Sequence, residues 1–146
     1  AIDAFTATKT IEYRGSLTQE ELANEIESCD CLVHVESFDE KMKKITRLSI
    51  STKIPEYLSS SRCIYAVGPR DVASMRYLIK HEAAHVTTDP DSKTIVDDLM
   101  SLFTDNEAPR DYARKGAALF RSNHMRSKTQ DRIRNIIDEA RVTADR

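Results

Sequence analysis

Two short segments constrain the fold of this chain more than anything else in it. Cys31-Leu32-Val33-His34-Val35 and Arg62-Cys63-Ile64-Tyr65-Ala66-Val67 are almost unbroken apolar runs. Each is too short for a helix, and neither shows the alternation of a strand with one wet face. Such runs suit strands covered on both sides, as in a parallel sheet flanked by helices. The neighbouring segments supply candidate helices. Thr18, with Glu21 three positions on, has the pattern of a capping box, and Leu22, Ile26 and Cys29 follow as an apolar stripe. Ser51 or Thr52 caps a second helix running to about Ser60, with Pro55 in the first turn, where a missing N–H is tolerated. After the Gly68-Pro69 turn, Asp71 caps a third helix carrying Val72, Met75, Leu78 and Ile79.

The rest of the chain extends this alternation. Thr10-Ile11-Glu12-Tyr13-Arg14 alternates and is rich in β-formers, so it reads as a first strand closed by Gly15-Ser16. Ala83-Ala84-His85-Val86-Thr87 reads as a fourth strand. Residues 37–46 are polar without a clear period and read as a loop with at most one helical turn. Asp89-Pro90-Asp91 opens a helix with Ile95, Leu99, Leu102 and Phe103 on one side, Ala108-Pro109 opens another, and Ser122-Asn123-His124 interrupts it. A last helix runs from about Ser127 to Ala140. The expected order is β-α-β-α-β-α-β-α-α-α, an α/β domain with a Rossmann-like parallel sheet and helices on both faces. Ligands of such sheets bind at the carboxyl ends of the strands. Here those ends are Gly15-Ser16-Leu17, Glu36-Ser37-Phe38, Gly68-Pro69 and Thr88-Asp89.

Bulk properties narrow the function. A chain of 146 residues fits one domain. A net charge of -2 argues against a nucleic-acid partner, which would call for an excess of Lys and Arg. No apolar run approaches the roughly 20 residues of a membrane span, and no signal-peptide pattern opens the chain. A cytoplasmic location is expected, compatible with peripheral attachment to a membrane. The chain has no initiator Met and enters a strand pattern at once, which reads as a piece of a larger protein. Cys29, Cys31 and Cys63 read as free thiols of a reducing compartment. His81 and His85 flank Glu82, but they straddle a helix end and do not form a zinc motif on one continuous helix. Neither G-x-G-x-x-G nor a Walker loop is present, and no cofactor or metal is expected.

The segment richest in chemistry is Leu48-Ser49-Ile50-Ser51-Thr52-Lys53-Ile54-Pro55-Glu56-Tyr57-Leu58. Two hydroxyl residues stand at a helix start, where free N–H groups favour anions. Lys53 adds a positive charge for a phosphate. About one turn on, the Glu56 carboxylate can accept hydrogens from two ribose hydroxyls, in charge-assisted bonds. Read without function, the same residues are a helix cap, a solvated lysine and a first-turn acid.

Larger patterns favour the functional reading. Gly15, the helix ending in Ser28-Cys29-Asp30 and the strand from Cys31 to Val35 resemble a conserved stretch of GT-B glycosyltransferases. Ser51-Thr52-Lys53-Ile54-Pro55-Glu56-Tyr57-Leu58 followed by Arg62-Cys63-Ile64-Tyr65-Ala66-Val67-Gly68 resembles the signature of their donor-binding, C-terminal half. The resemblance covers nearly the whole chain. It implies a nucleotide-diphosphate sugar as ligand, with Glu56 on the ribose, Ser51, Thr52 and Lys53 at the diphosphate, and Ser16 and Leu17 along the base. It also implies that an acceptor domain and a first strand-helix unit lie before Ala1, so that residues 1–146 alone would not catalyse transfer. The full enzyme would move a sugar to a hydroxyl acceptor, as in surface polysaccharide synthesis. Leu48 stands where many retaining members carry a second Glu, which leaves the stereochemical outcome open. Ser61 stands where Gly is usual, and Cys63 where Pro is usual.

Two other readings fit the same alternation. One is a nucleotide-sugar epimerase of the same fold, which needs no acceptor domain. The other is a non-catalytic α/β nucleotide-sensing module. His34, within a strand pattern, reads mainly as a sheet-face histidine, and Glu36, Asp39 and Glu40 as a solvated loop.

Overall fold

The computed structural model describes residues 11–144. Its ordered elements are α1 (Gln19–Ser28), β1 (Cys31–Val35), α2 (Glu40–Thr46), α3 (Lys53–Ser59), β2 (Cys63–Val67), α4 (Ala73–Lys80), β3 (His85–Thr87), α5 (Ser92–Leu102), α6 (Ala108–Asn123) and α7 (Arg126–Ala144). The three strands form one parallel sheet in the order β1-β2-β3. Cys31 pairs with Cys63 and Val35 with Val67 across the first ladder, and Tyr65 with His85 and Val67 with Thr87 across the second.

Apolar burial explains why the sheet forms. All five residues of the central strand β2 are buried, so both of its faces are covered. One face presents Ile64 and Ala66 to Ile54 and Leu58 of α3, Met75 and Leu78 of α4 and Leu119 of α6. The other presents Cys63, Tyr65 and Val67 to Ile95, Leu99 and Leu102 of α5 and to Ala108 and Tyr112 of α6. Helices therefore lie on both sides of the sheet, as expected. Each fully buried Leu or Ile of this set is worth about 1.5–3 kcal/mol over leaving it in water. A Cβ built on Gly116 would sit 3.2 Å from Leu58 Cδ2, so α6 passes close to α3. The polar tip of Tyr65 is also satisfied: its hydroxyl lies 2.8 Å from Thr87 Oγ1 and 2.8 Å from the Ile95 carbonyl, while the Thr87 hydroxyl donates to Asp98 Oδ2 at 2.8 Å.

Several elements differ from the sequence reading. Residues 11–15 form no strand and are exposed, and Thr10 lies outside the described residues. An alternating pattern needs a partner strand and a core to cover, and this segment meets neither among the described residues. The run at Cys31–Val35 is a strand, but β1 is an edge with only one face covered. Leu32 and His34 are buried on the side of Ile64 and Ala66, whereas Val33 and Val35 are 52% and 65% exposed on the side of Tyr65. The helices of that side pack over β2 and β3 and reach β1 only at Cys31, leaving Val33 and Val35 bare.

Residues 40–46 are helical where a loop was expected. Asp39 supplies the cap, its Oδ1 accepting the N–H groups of Lys41 (3.1 Å) and Met42 (3.0 Å). Asp71 does not cap α4, whose cap residue is Val72; its carboxylate instead pairs with Lys43 at 3.5 Å. The fourth expected strand shortens to β3. The capping box is present, with Glu21 Oε2 2.8 Å from the Thr18 amide and the Glu21 amide donating to Thr18 Oγ1 at 3.3 Å. Asp91 caps α5 as the Asp89-Pro90-Asp91 turn suggests. Among the described residues no helix is long and apolar enough to cross a membrane.

Candidate functional site

The carboxyl end of β1 opens into a cleft of about 570 Å³. One wall is the last stretch of β1, Val33 to Glu36. The rest of the lining is the turn of residues 49–53, Tyr57 of α3 and Thr46 of α2. The volume lies within the few hundred to a thousand Å³ typical of small-molecule sites.

The floor is a buried acid–imidazole pair. His34 Nε2 lies 3.2 Å from Glu36 Oε1, with the two side chains only 6% and 11% exposed. Strand periodicity makes the pair: residues two apart in an extended chain point to the same side. The Glu36 amide continues the ladder one step beyond β1, donating to the Val67 carbonyl at 2.8 Å. Gly68 lets this happen. A Cβ there would stand 2.7 Å from Glu36 Cβ and 3.2 Å from the Glu36 carbonyl oxygen, closer than side chains tolerate. A glycine directly after β2 is therefore what allows the acid to sit beside the sheet end.

The turn in that lining is braced from behind. Ser74, fully buried in α4, accepts the Ser51 amide at 3.0 Å and donates to the Ser49 carbonyl at 3.5 Å. The Ala73 amide donates to the Arg47 carbonyl at 3.0 Å. These bonds fix the turn that carries Ser49, Ile50 and Ser51 against the start of α4. The Ser51 hydroxyl in turn accepts the Lys53 amide at 3.4 Å, and Thr52 holds the cap position without a side-chain cap bond. Its hydroxyl is left for other partners.

Of the residues singled out from sequence, Ser51, Thr52 and Lys53 all line the cleft. Among the described residues Lys53 forms no ion pair, and it lines the same cleft as Glu36. Glu56 lies on α3 and is exposed, but it is not part of the cleft wall. Its neighbour Tyr57 is part of it; burial first, then the Glu56 charge and Cys29, push the Tyr57 phenol up from its ordinary value. Ser16 and Leu17 precede α1, are exposed, and are not brought to the cleft.

From sequence His34 reads mainly as a sheet-face histidine and Glu36 as part of a solvated loop; Glu36 is instead nearly buried beside His34, because it continues the ladder past β1. The signal was the H-x-E spacing at the end of an apolar strand run followed, one strand later, by Gly68. The cleft walls thus offer two hydroxyls, an ammonium, a phenol and a buried imidazole paired with a carboxylate. Such a set can bind an anionic, hydroxyl-bearing ligand.

A second cavity of about 440 Å³ borders the free edge of β3. Its Lys115 is held by Asp111 and Glu82, both at 2.9 Å, and so offers little charge to a ligand. Among the described residues no group of three or more His, Cys, Asp or Glu is placed to hold a metal ion; His81 caps the end of α4 and His85 stacks on Tyr65. No known family model matches the chain, and no curated protein matches its sequence.

Proposed function

We propose that this chain is the donor-binding part of a GT-B glycosyltransferase and holds a nucleotide-diphosphate sugar in the cleft at the carboxyl end of β1. One observation carries the reading: the unpaired Lys53 ammonium and the Ser51 and Thr52 residues open, together with the buried His34–Glu36 pair, onto one cleft of about 570 Å³. The helix α3 has only seven residues, so its dipole is a minor contribution and the side chains carry the argument. The diphosphate lies against Lys53 and the two hydroxyls. The pentose reaches past Tyr57 toward Glu56, whose exposed carboxylate accepts its hydroxyl hydrogens. Transfer goes to a hydroxyl acceptor held by a further domain, in the assembly of a surface polysaccharide. Stabilisation of the departing diphosphate by Lys53 is then the main electrostatic contribution of this half.

Calorimetric titration of the chain with UDP, GDP, ADP, CDP and dTDP and with their sugars tests the reading. One nucleotide family binds, and Lys53→Ala weakens it at least about tenfold, or roughly 1.4 kcal/mol. Glu56→Ala weakens the nucleotide while leaving inorganic pyrophosphate unaffected. No binding by any of these ligands, or binding indifferent to both substitutions, overturns it.

A further inference from the structure

Away from the cleft, the amino ends of β1 and β2 place two thiols side by side. Cys31 and Cys63 are direct partners in the parallel ladder, so their side chains leave the same face of the sheet. Adjacent strands lie about 4.8 Å apart, within the roughly 4.4–6.8 Å between Cα atoms that a disulfide spans. Both residues belong to the cluster under α5 and α6, Cys63 within it at 2% exposure and Cys31 half-buried against it. A cavity of about 440 Å³ at the amino end of the sheet borders Cys63 and is also lined by Arg62 and Arg110. That lining also holds Asp30 and Asp105, so its charges balance, and it leaves open space beside Cys63.

We propose that Cys31 and Cys63 form a reversible disulfide that staples the edge strand β1 to β2, by exchange with a small disulfide of the glutathione class. The reaction balances without any other reagent. The Cys31 thiolate attacks one sulfur of the small disulfide and expels the other half as a thiolate, which takes up the proton Cys31 gave up. The Cys63 sulfur then attacks Cys31 in the mixed disulfide, loses its own proton and releases the second thiol. Two protein thiols are oxidised and one disulfide is reduced to two thiols. The order of attack follows from the environment. The neighbouring Cys63 thiol favours the Cys31 thiolate and lowers its pKa, whereas the same neighbour, then burial, push the Cys63 thiol up. Cys31 is also the more exposed of the two, as a first nucleophile must be. Excess small thiol reverses the bond by the same exchange run backwards.

The test is oxidation of the folded chain with glutathione disulfide at neutral pH, acid quenching and peptide mass mapping. The expected product has lost two of its three thiols, has a mass lower by about 2 Da, carries a Cys31–Cys63 cross-linked peptide and regains its thiols in dithiothreitol. Cys63→Ala is expected to stop at a glutathione adduct on Cys31, roughly 305 Da heavier. The mapping of the unsubstituted chain stands whether or not that variant folds. A stable adduct on Cys31 in the unsubstituted chain, a Cys29–Cys31 bond, or three thiols that stay reduced would each overturn the proposal.

Discussion

Gly68→Ala is the sharpest test of how the cleft floor is built. The added Cβ meets Glu36 Cβ at 2.7 Å, the Glu36 carbonyl oxygen at 3.2 Å and Glu36 Cα at 3.3 Å. Two of those three atoms are backbone, so no rotamer change can clear the overlap. Comfortable carbon contacts lie at about 3.5–4.0 Å, so the end of β1 must retreat by roughly 1 Å. That retreat stretches the 2.8 Å bond from the Glu36 amide to the Val67 carbonyl and shifts the nearly buried Glu36 side chain away from His34. Losing one such bond costs about 1 kcal/mol, and overpacking in a tight site adds about 1–2 kcal/mol. A total near 2–3 kcal/mol corresponds to a fall in Tm of about 8–12 °C for a chain of this size. Urea denaturation should show a lower midpoint at unchanged slope, because the fold persists and only its stability drops. A Gly68→Ala variant within about 0.5 kcal/mol of the parent would mean that β1 and β2 do not approach each other as described.

Other parts of the structure make separate predictions. Tyr65→Phe removes the hydroxyl that meets Thr87 and the Ile95 carbonyl, leaves buried polar groups short of a partner, and lowers stability by about 1–3 kcal/mol in urea denaturation. Ser61 has φ +58°, in the left-handed region, so Ser61→Gly relieves strain and raises stability by about 0.5–1 kcal/mol; a loss would refute the assigned backbone. Burial, then the charges of Arg132 and His81, hold the His124 imidazole below its ordinary value, where it meets the Tyr77 hydroxyl at 2.8 Å. The unfolded chain therefore binds this proton more readily than the folded one, and stability falls as pH drops from above 6.5 toward the lowered folded value. In Tm measured across pH 5–7.5, His124→Gln should flatten that portion of the curve.

Most of the fold was legible because burial leaves a direct trace in composition. The β2 run, covered on both faces, could hardly be read otherwise, and the caps at Thr18 and Asp91 announced their helices. The errors share a cause. The segment at Ile11 to Arg14 has a strand's alternation, but pairing depends on a neighbour that local pattern cannot report. β1 has the composition of a central strand while standing at an edge, because a run of apolar residues records affinity for burial and not what is available to cover it. In the site, the polar residues at the start of α3 stood out from sequence, since they are consecutive. The His34–Glu36 pair depends on strand phase and on Gly68, thirty-two positions beyond Glu36, and such a relation is visible only once the ladder is formed.

The bracing by Ser74 has a mechanical consequence. It anchors the turn at residues 49–51 to a fully buried hydroxyl, and Arg47 is tied in the same way, so that side of the cleft moves only if α4 moves with it. The facing side is the tip of an outermost strand, paired along a single edge. Compliance is therefore distributed unequally. A ligand that draws the two sides together displaces the β1 tip, while the turn at residues 49–51 keeps its position as a fixed template.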